Sequence, residues 1–154
     1  MSGNANAVID HFRETGVISV DTSSDELHPA YFETRFRVDQ LPVAWPPQFA
    51  IISAYATTGQ TWTRKRNRAA DRALRRHLRE TNVWHWRLVG YSPATDHSEP
   101  SWACAMPRVE AMKLAIRFLQ DAIYWVEQDE LFVLSCQSNQ SRRRVGSFRH
   151  RLRE

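Results

Sequence analysis

In the segment TDHSEPS, His97 and Glu99 stand two positions apart with Asp96 beside them. Alternate residues of a strand share a face, and imidazole and carboxylate are readily tuned toward neutral pH, so the pair can serve as general acid and base. The same residues also suit a solvated hairpin turn. HSE matches the H-x-E element of zinc deaminases, yet that chemistry needs a P-C-x-x-C partner. Here Pro100 is followed by Ser101, and Cys104 stands without a second cysteine nearby, so no metal set is written.

Two amides and two hydroxyls are candidates for holding a ligand. Asn67 precedes Ala70 by three residues and Leu74 by seven, which places a polar amide on the apolar stripe of a helix, where it needs partners. Either it ties down the preceding loop or it contacts a ligand. Gln120 falls at a helix end, where its amide caps the helix or reaches toward Asn67 and Glu99. Thr58 and Thr61 lie in TTGQT, a turn before a helix whose free N–H groups suit an anion. It is not a phosphate-binding Walker loop, because no GKS or GKT follows.

The elements that position these residues are readable from periodicity. Residues 31–38 alternate, with Phe32, Thr34, Phe36 and Val38 on one side, as a half-buried strand does. The proline-rich LPVAWPPQ connects it to a second strand at 49–55. A helix follows, capped by Thr61 or Thr63 and running to about residue 80, with Ala70, Leu74 and Leu78 inward and Arg64, Arg68, Arg72, Arg75 and Arg79 along the opposite face. Strands at 83–91 and 101–106 flank the turn-rich SPATDHSEP, and a helix opening at Pro107 shows a stripe of Val109, Met112, Ala115, Ile116 and Leu119. Strands at 122–126 and 131–135 form a hairpin around EQDE.

The expected fold is α+β: a ferredoxin-like βαββαβ core, two helices on one face of an antiparallel sheet, with an additional strand at each end. Residues 1–30 read as a loosely structured leader, 31–136 as the domain, and 137–154 as a flexible basic tail. In this topology the loop after the second strand, the 92–100 hairpin and the loop before residue 122 share one end, where the unusual polar residues collect.

Charge is unevenly spread. Residues 61–80 carry 8 basic and 2 acidic side chains, and 141–154 carry 6 and 1, while the net charge of the whole chain is +4. Nineteen of the 21 basic residues are Arg, whose planar fork suits phosphates and carboxylates. The helix face and the tail, with Arg142, Arg143 and Arg144, therefore form a candidate nucleic-acid surface, although a solvated face and a solubilising tail are the commoner origin of such features. No apolar run is long enough to span a membrane. The amino end lacks a signal-peptide pattern, so a cytoplasmic location is expected. Cys104 and Cys136 read as packed free thiols.

The segments FAIISAYATTGQTWTRKRNRAADRALRRHL, WHWRLVGYSPATDHSEPSWA and AMKLAIRFLQDAIYW resemble successive blocks of the bacterial family catalogued as domain of unknown function 3293, over roughly residues 31–135. The resemblance implies Asn67, His97, Glu99 and Gln120 as the characteristic polar residues, with Trp84, Gly90, Pro93, Pro100 and Ser101 around them. It also implies Phe-Gly-Gln where this chain has Phe118, Leu119 and Gln120, and Pro where Trp86 stands. It supplies positions but neither a reaction nor a cofactor. The leading expectation is a polar pocket for a small anionic or nucleotide-like ligand, with Thr58, Thr61, Asn67 and Gln120 binding it and His97 and Glu99 handling protons. The alternative is a nucleic-acid-binding module, and a third reading is an adaptor that captures an acidic protein through the tail.

Overall fold

A computed structural model describes residues 27–137 and 141–154. Most of the expected leader, including the apolar patch at 17–20, lies outside the described residues. Residues Pro29–Phe32 form a 3-10 turn. The strands are β1 (Arg35–Arg37), β2 (Gln48–Ile52), β3 (His85–Tyr91), β4 (Ser98–Cys104), β5 (Ala122–Glu127), β6 (Glu130–Ser135), β7 (Arg142–Ser147) and β8 (Leu152–Arg153). The helices are α1 (Arg64–Glu80), α2 (Arg108–Arg117) and the short α3 (Phe148–Arg151).

All eight strands join one mixed sheet in the order β7-β6-β5-β2-β4-β3-β1-β8. Neighbours are antiparallel throughout, except that β1 and β8 run parallel. Each edge thus carries two strands beyond the β2-to-β5 segment, where the sequence suggested one. The first strand is shorter than its alternation implies, because residues 29–32 wind into a turn before Phe36 and Val38 reach the core.

Thr63 starts α1 by accepting the Arg66 N–H on its side-chain oxygen at 3.1 Å, and Leu74 and Leu78 are buried as the periodicity requires. For α2 the expected stripe holds only at Ala115, which is buried, and Met112, which packs against the core. Ala111, Leu114 and Ala115 face inward, whereas Val109, Ile116 and Leu119 are 62%, 51% and 58% exposed. The helix is apolar on both sides, and close approach to the sheet selects the side where Ala111 and Ala115, one turn apart, leave room for Trp102 and Trp125. Just beyond α2, Leu119 adopts a left-handed φ of 60°, a conformation that glycine takes at no steric cost. The β5–β6 turn likewise places Gln128 (φ 52°) and Asp129 (φ 71°) in left-handed geometry, matching the twist of a two-residue hairpin.

Both helices share one apolar layer with the sheet, in which Leu74, Leu78, Ala111, Leu114 and Ala115 meet Ala50, Ile52, Trp102 and Ile123. The opposite face is buried too. Phe36, Phe49, Ile51, Leu88, Tyr124, Val133 and Phe148 form a second core there, edged by Trp45, Trp84 and Trp86.

That second core has its origin in residues 142–153, which the sequence presented as a flexible basic tail and which instead form β7, α3 and β8. A flat eight-stranded sheet would hold its edge strands about 34 Å apart. Here the two edge strands are joined by the four residues of α3, which span about 6 Å along a helix axis. The sheet therefore curls until its edges approach. Arg151 spans the gap, donating to the carbonyls of Phe32 (3.1 Å) and Thr34 (2.9 Å) beside β1 and to that of Val145 in β7 (2.8 Å). Asp129 anchors the same segment: its carboxylate accepts from Ser147 Oγ at 2.6 Å and from the Arg149 N–H at 2.9 Å. Phe148 fills the space inside, edge-on to Trp45 and Phe49 at 5.0 and 5.3 Å between ring centroids.

No helix among the described residues is long and apolar enough to cross a membrane. Cys104 is a buried free thiol and Cys136 a half-buried one, and burial pushes both up to about 12, well above reactive thiol values. Phe148→Ala is expected to lower the stability of the whole fold by about 3–5 kcal/mol in urea denaturation. A loss below about 1 kcal/mol would show that α3 does not close the second core.

Candidate functional site

The loop leaving β2 is held from three sides. Asn67, one turn into α1, accepts the Ala56 N–H on Oδ1 at 2.9 Å. Gln120 donates from Nε2 to the Tyr55 carbonyl at 2.8 Å, and Thr57 Oγ1 accepts the Asp121 N–H at 3.0 Å. Within the loop, Ser53 Oγ accepts the Tyr55 N–H at 3.0 Å. These bonds bring the α1 amino end, the α2–β5 connection and the β2 exit to one end of the sheet. Asn67 and Gln120 thus meet through the backbone between them, and each spends one amide atom on positioning the loop.

On the concave face at this end, sheet alternation sets Glu99, Ser101 and Ala103 of β4 on the side of Ile51, Tyr124 and Phe36, away from the helices. Ser53 continues the β2 alternation of Phe49 and Ile51 and is buried. Its hydroxyl lies beside the Glu99 carboxyl group, where it favours the charged form. His97 Nε2 lies 3.7 Å from Glu99 Oε1, an electrostatic contact longer than a hydrogen bond, with the imidazole 66% exposed and the carboxyl group 22% exposed. Tyr31 completes the cluster: its phenol sits against the Thr57 and Thr58 hydroxyls and within the field of Glu99 and Asp121. Tyr124 donates its hydroxyl to the Tyr31 carbonyl at 2.8 Å.

Burial pushes the Glu99 carboxyl above the ordinary range, and the Ser53 hydroxyl and the neighbouring His97 pull it only partly back. Burial likewise raises Tyr31, against the Thr58 and Thr57 hydrogen bonds, and raises Tyr124. A carboxylic acid that keeps its proton to higher pH, beside a hydroxyl and an imidazole, can deliver that proton to a bound group and recover it through His97. Thr61 remains exposed, makes no hydrogen bond among the described residues and does not join the cluster. Among the described residues no group of three His, Cys, Asp or Glu side chains is placed to hold a metal ion.

Ser53, Tyr31, Thr57 and Tyr124 are absent from the sequence-derived candidates. Ser53 left one trace, as a polar residue within the nearly apolar run 49–56. Tyr31 and Tyr124 left none, since each stands in a strand-like segment whose alternation assigns it no chemistry.

The basic surfaces separate into two kinds. On α1, Arg64, Arg68, Arg72, Arg75 and Arg79 are exposed and make no ion pair with a carboxylate among the described residues; Arg75 lies 5.6 Å from the centre of the Trp102 ring. The α1 carboxylate Asp71 is committed elsewhere, to Arg87 at 2.6 Å and to the Trp102 indole N–H at 3.1 Å. In β7 the arginines are engaged: Arg142 with Glu127 at 3.9 Å, Arg144 with Glu130 at 3.1 Å, and Arg143 5.7 Å from the Phe32 ring centre.

Residues 52–123 match the family described as Protein of unknown function (DUF3293), so the resemblance seen in the sequence holds over that stretch, which contains Ser53, Asn67, His97, Glu99 and Gln120. Neither a curated protein nor a solved structure is significantly similar to the chain.

Because Glu99 binds its proton more tightly folded than unfolded, stability falls as pH rises from the ordinary glutamate value through the raised one. Glu99→Gln is therefore expected to be more stable than wild type at pH 7 and equal to it near pH 3, in denaturation curves across that range; a constant difference would sink this assignment. Asn67→Ala, which orphans the Ala56 N–H, is expected to cost about 1–3 kcal/mol by the same measurement.

Proposed function

We propose that the chain binds a small polar ligand at the end of the curled sheet where Ser53, Glu99, His97 and Tyr31 meet, and that Glu99 and His97 move a proton on it. One observation carries the reading: a largely buried carboxyl group, raised by desolvation, that touches the Ser53 hydroxyl on one side and reaches a solvent-exposed imidazole on the other. A carboxyl group costs stability in such a place, and proton transfer is the use that repays it. Asn67 and Gln120 serve by fixing the loop rather than by spending all of their polar atoms on a ligand.

An anionic or nucleotide-like ligand is the class favoured by the neighbourhood. Thr58 stands between Tyr31 and the turn that leads to α1, and no acidic residue lies in the first turn of that helix. Thr61 would contact such a ligand only at its outer end. The same reading takes β2 to β5 as a ferredoxin-like unit, supported by the neighbour order β5-β2-β4-β3 with antiparallel pairs and by both helices lying in one layer. A second reading, nucleic-acid binding, is favoured by the exposed arginines of α1 that have no carboxylate partner; the engaged arginines of β7 add little to it.

Thermal shift of the full chain against a panel of mononucleotides and small organic phosphates tests the proposal. A true ligand at a hundred times its Kd adds about 2.7 kcal/mol of stability. The gain should shrink in Glu99→Ala and Ser53→Ala proteins whose folding is verified by circular dichroism. A ligand that stabilises these variants as much as wild type, or a panel that binds nowhere while oligonucleotides bind at physiological salt and lose affinity on Arg68→Ala and Arg72→Ala, would move the function to the α1 surface.

A further inference from the structure

Where α1 meets the end of α2, on the side of the helical layer away from Glu99, the surface opens into a groove of about 370 Å3. Its apolar lining comes from Trp62, Ala69, Phe118 and Leu119. Two guanidinium groups, Arg66 and Arg117, line the same groove. Neither has a carboxylate partner among the described residues. Arg66 lies over Trp62 with its guanidinium carbon 3.7 Å from the ring centre, and Arg117 lies 3.4 Å from Nδ1 of His77, which offers no carboxylate charge.

Two features make this more than an incidental crevice. Two unneutralised cations lining one apolar groove repel each other, and a single anion between them relieves that repulsion. Leu119 holds a left-handed backbone (φ 60°) and leaves its side chain 58% exposed at the rim, so a strained position carries an apolar group that covers no core. The volume suits one small molecule, at the lower end of the range of ordinary ligand pockets.

We propose that this groove binds a small organic acid with a planar apolar body, the acid held by Arg66 and Arg117 and the body lying against Trp62, Phe118 and Leu119. Charge complementarity selects an anion, and a guanidinium stacked on an indole selects a flat partner that extends the stack. The site is separate from the Glu99 cluster and stands whether or not the proton-transfer reading holds.

The test is an amide-shift titration of the full chain with 2-naphthoate, with 2-naphthamide as the neutral comparator of equal shape. Naphthoate is expected to bind about 10-fold more tightly than the amide, with shifts centred on Trp62 and residues 117–119. The double variant Arg66→Gln, Arg117→Gln should lose that preference, and both residues are exposed, so the fold is retained and can be verified by its thermal midpoint. Leu119→Gly should raise the thermal midpoint by releasing the left-handed strain while weakening both probes alike. Equal binding of the two probes, shifts centred elsewhere, or a preference that survives in the double variant would overturn the proposal.

Discussion

The four residues of α3 are too few to bridge the two edges of a flat eight-stranded sheet, so they dictate its shape. With the edges drawn together, the concave face is removed from water and must be apolar along its length, which accounts for Phe36, Phe49 and Phe148 being almost wholly buried on a side that no long helix among the described residues covers. The energy of that burial in turn holds the curl. Arg151 then satisfies carbonyls from both sides of the seam, where no ladder of backbone hydrogen bonds links β7 to β8.

The curl also decides what kind of site forms. On an open sheet Glu99 would face water and behave as an ordinary surface glutamate. Turned inward near the end of the concave face, it loses solvent and gains Ser53 and Tyr31 as neighbours, while His97 at the start of the strand keeps access to the outside. The amides of Asn67 and Gln120 fix a loop between the two layers, and the proposed proton transfer falls to other residues, Glu99 and His97 of the neighbouring hairpin.

Local patterns were legible in the sequence and distant ones were not. The α1 stripe and its threonine cap, the hairpin around residues 128–129 and the convergence of loops at one end follow from periodicity and connectivity over short stretches. The α2 face could not be chosen by periodicity, because Val109 and Ile116 on one side compete with Leu114 and Phe118 on the other, and only the bulk of Trp102 and Trp125 beneath favours alanine. Residues 142–153 concealed their strands because Val145, Phe148 and Leu152 stand singly among six arginines, and what buries them is chain far away in sequence. In the site, the His97–Glu99 pair is a two-residue pattern and was visible; Ser53 and Tyr31 come from segments far from it and acquire meaning only once the sheet has curled.

The position of the closing segment in the chain bears on how the protein is made. β6, with the sequence ELFVLS, finds its outer partner only in β7, which follows it in order of synthesis. Until residues 142–147 emerge, a nearly continuous apolar strand presents an unpaired edge to the cell, an arrangement prone to edge-to-edge association. Once in place, β7 pairs with that edge and replaces it with a strand bearing three consecutive exposed arginines, Arg142 to Arg144. The basic residues that resemble a binding tail in the sequence thereby act as a guard against self-association, and the nascent chain is most vulnerable just before they are added.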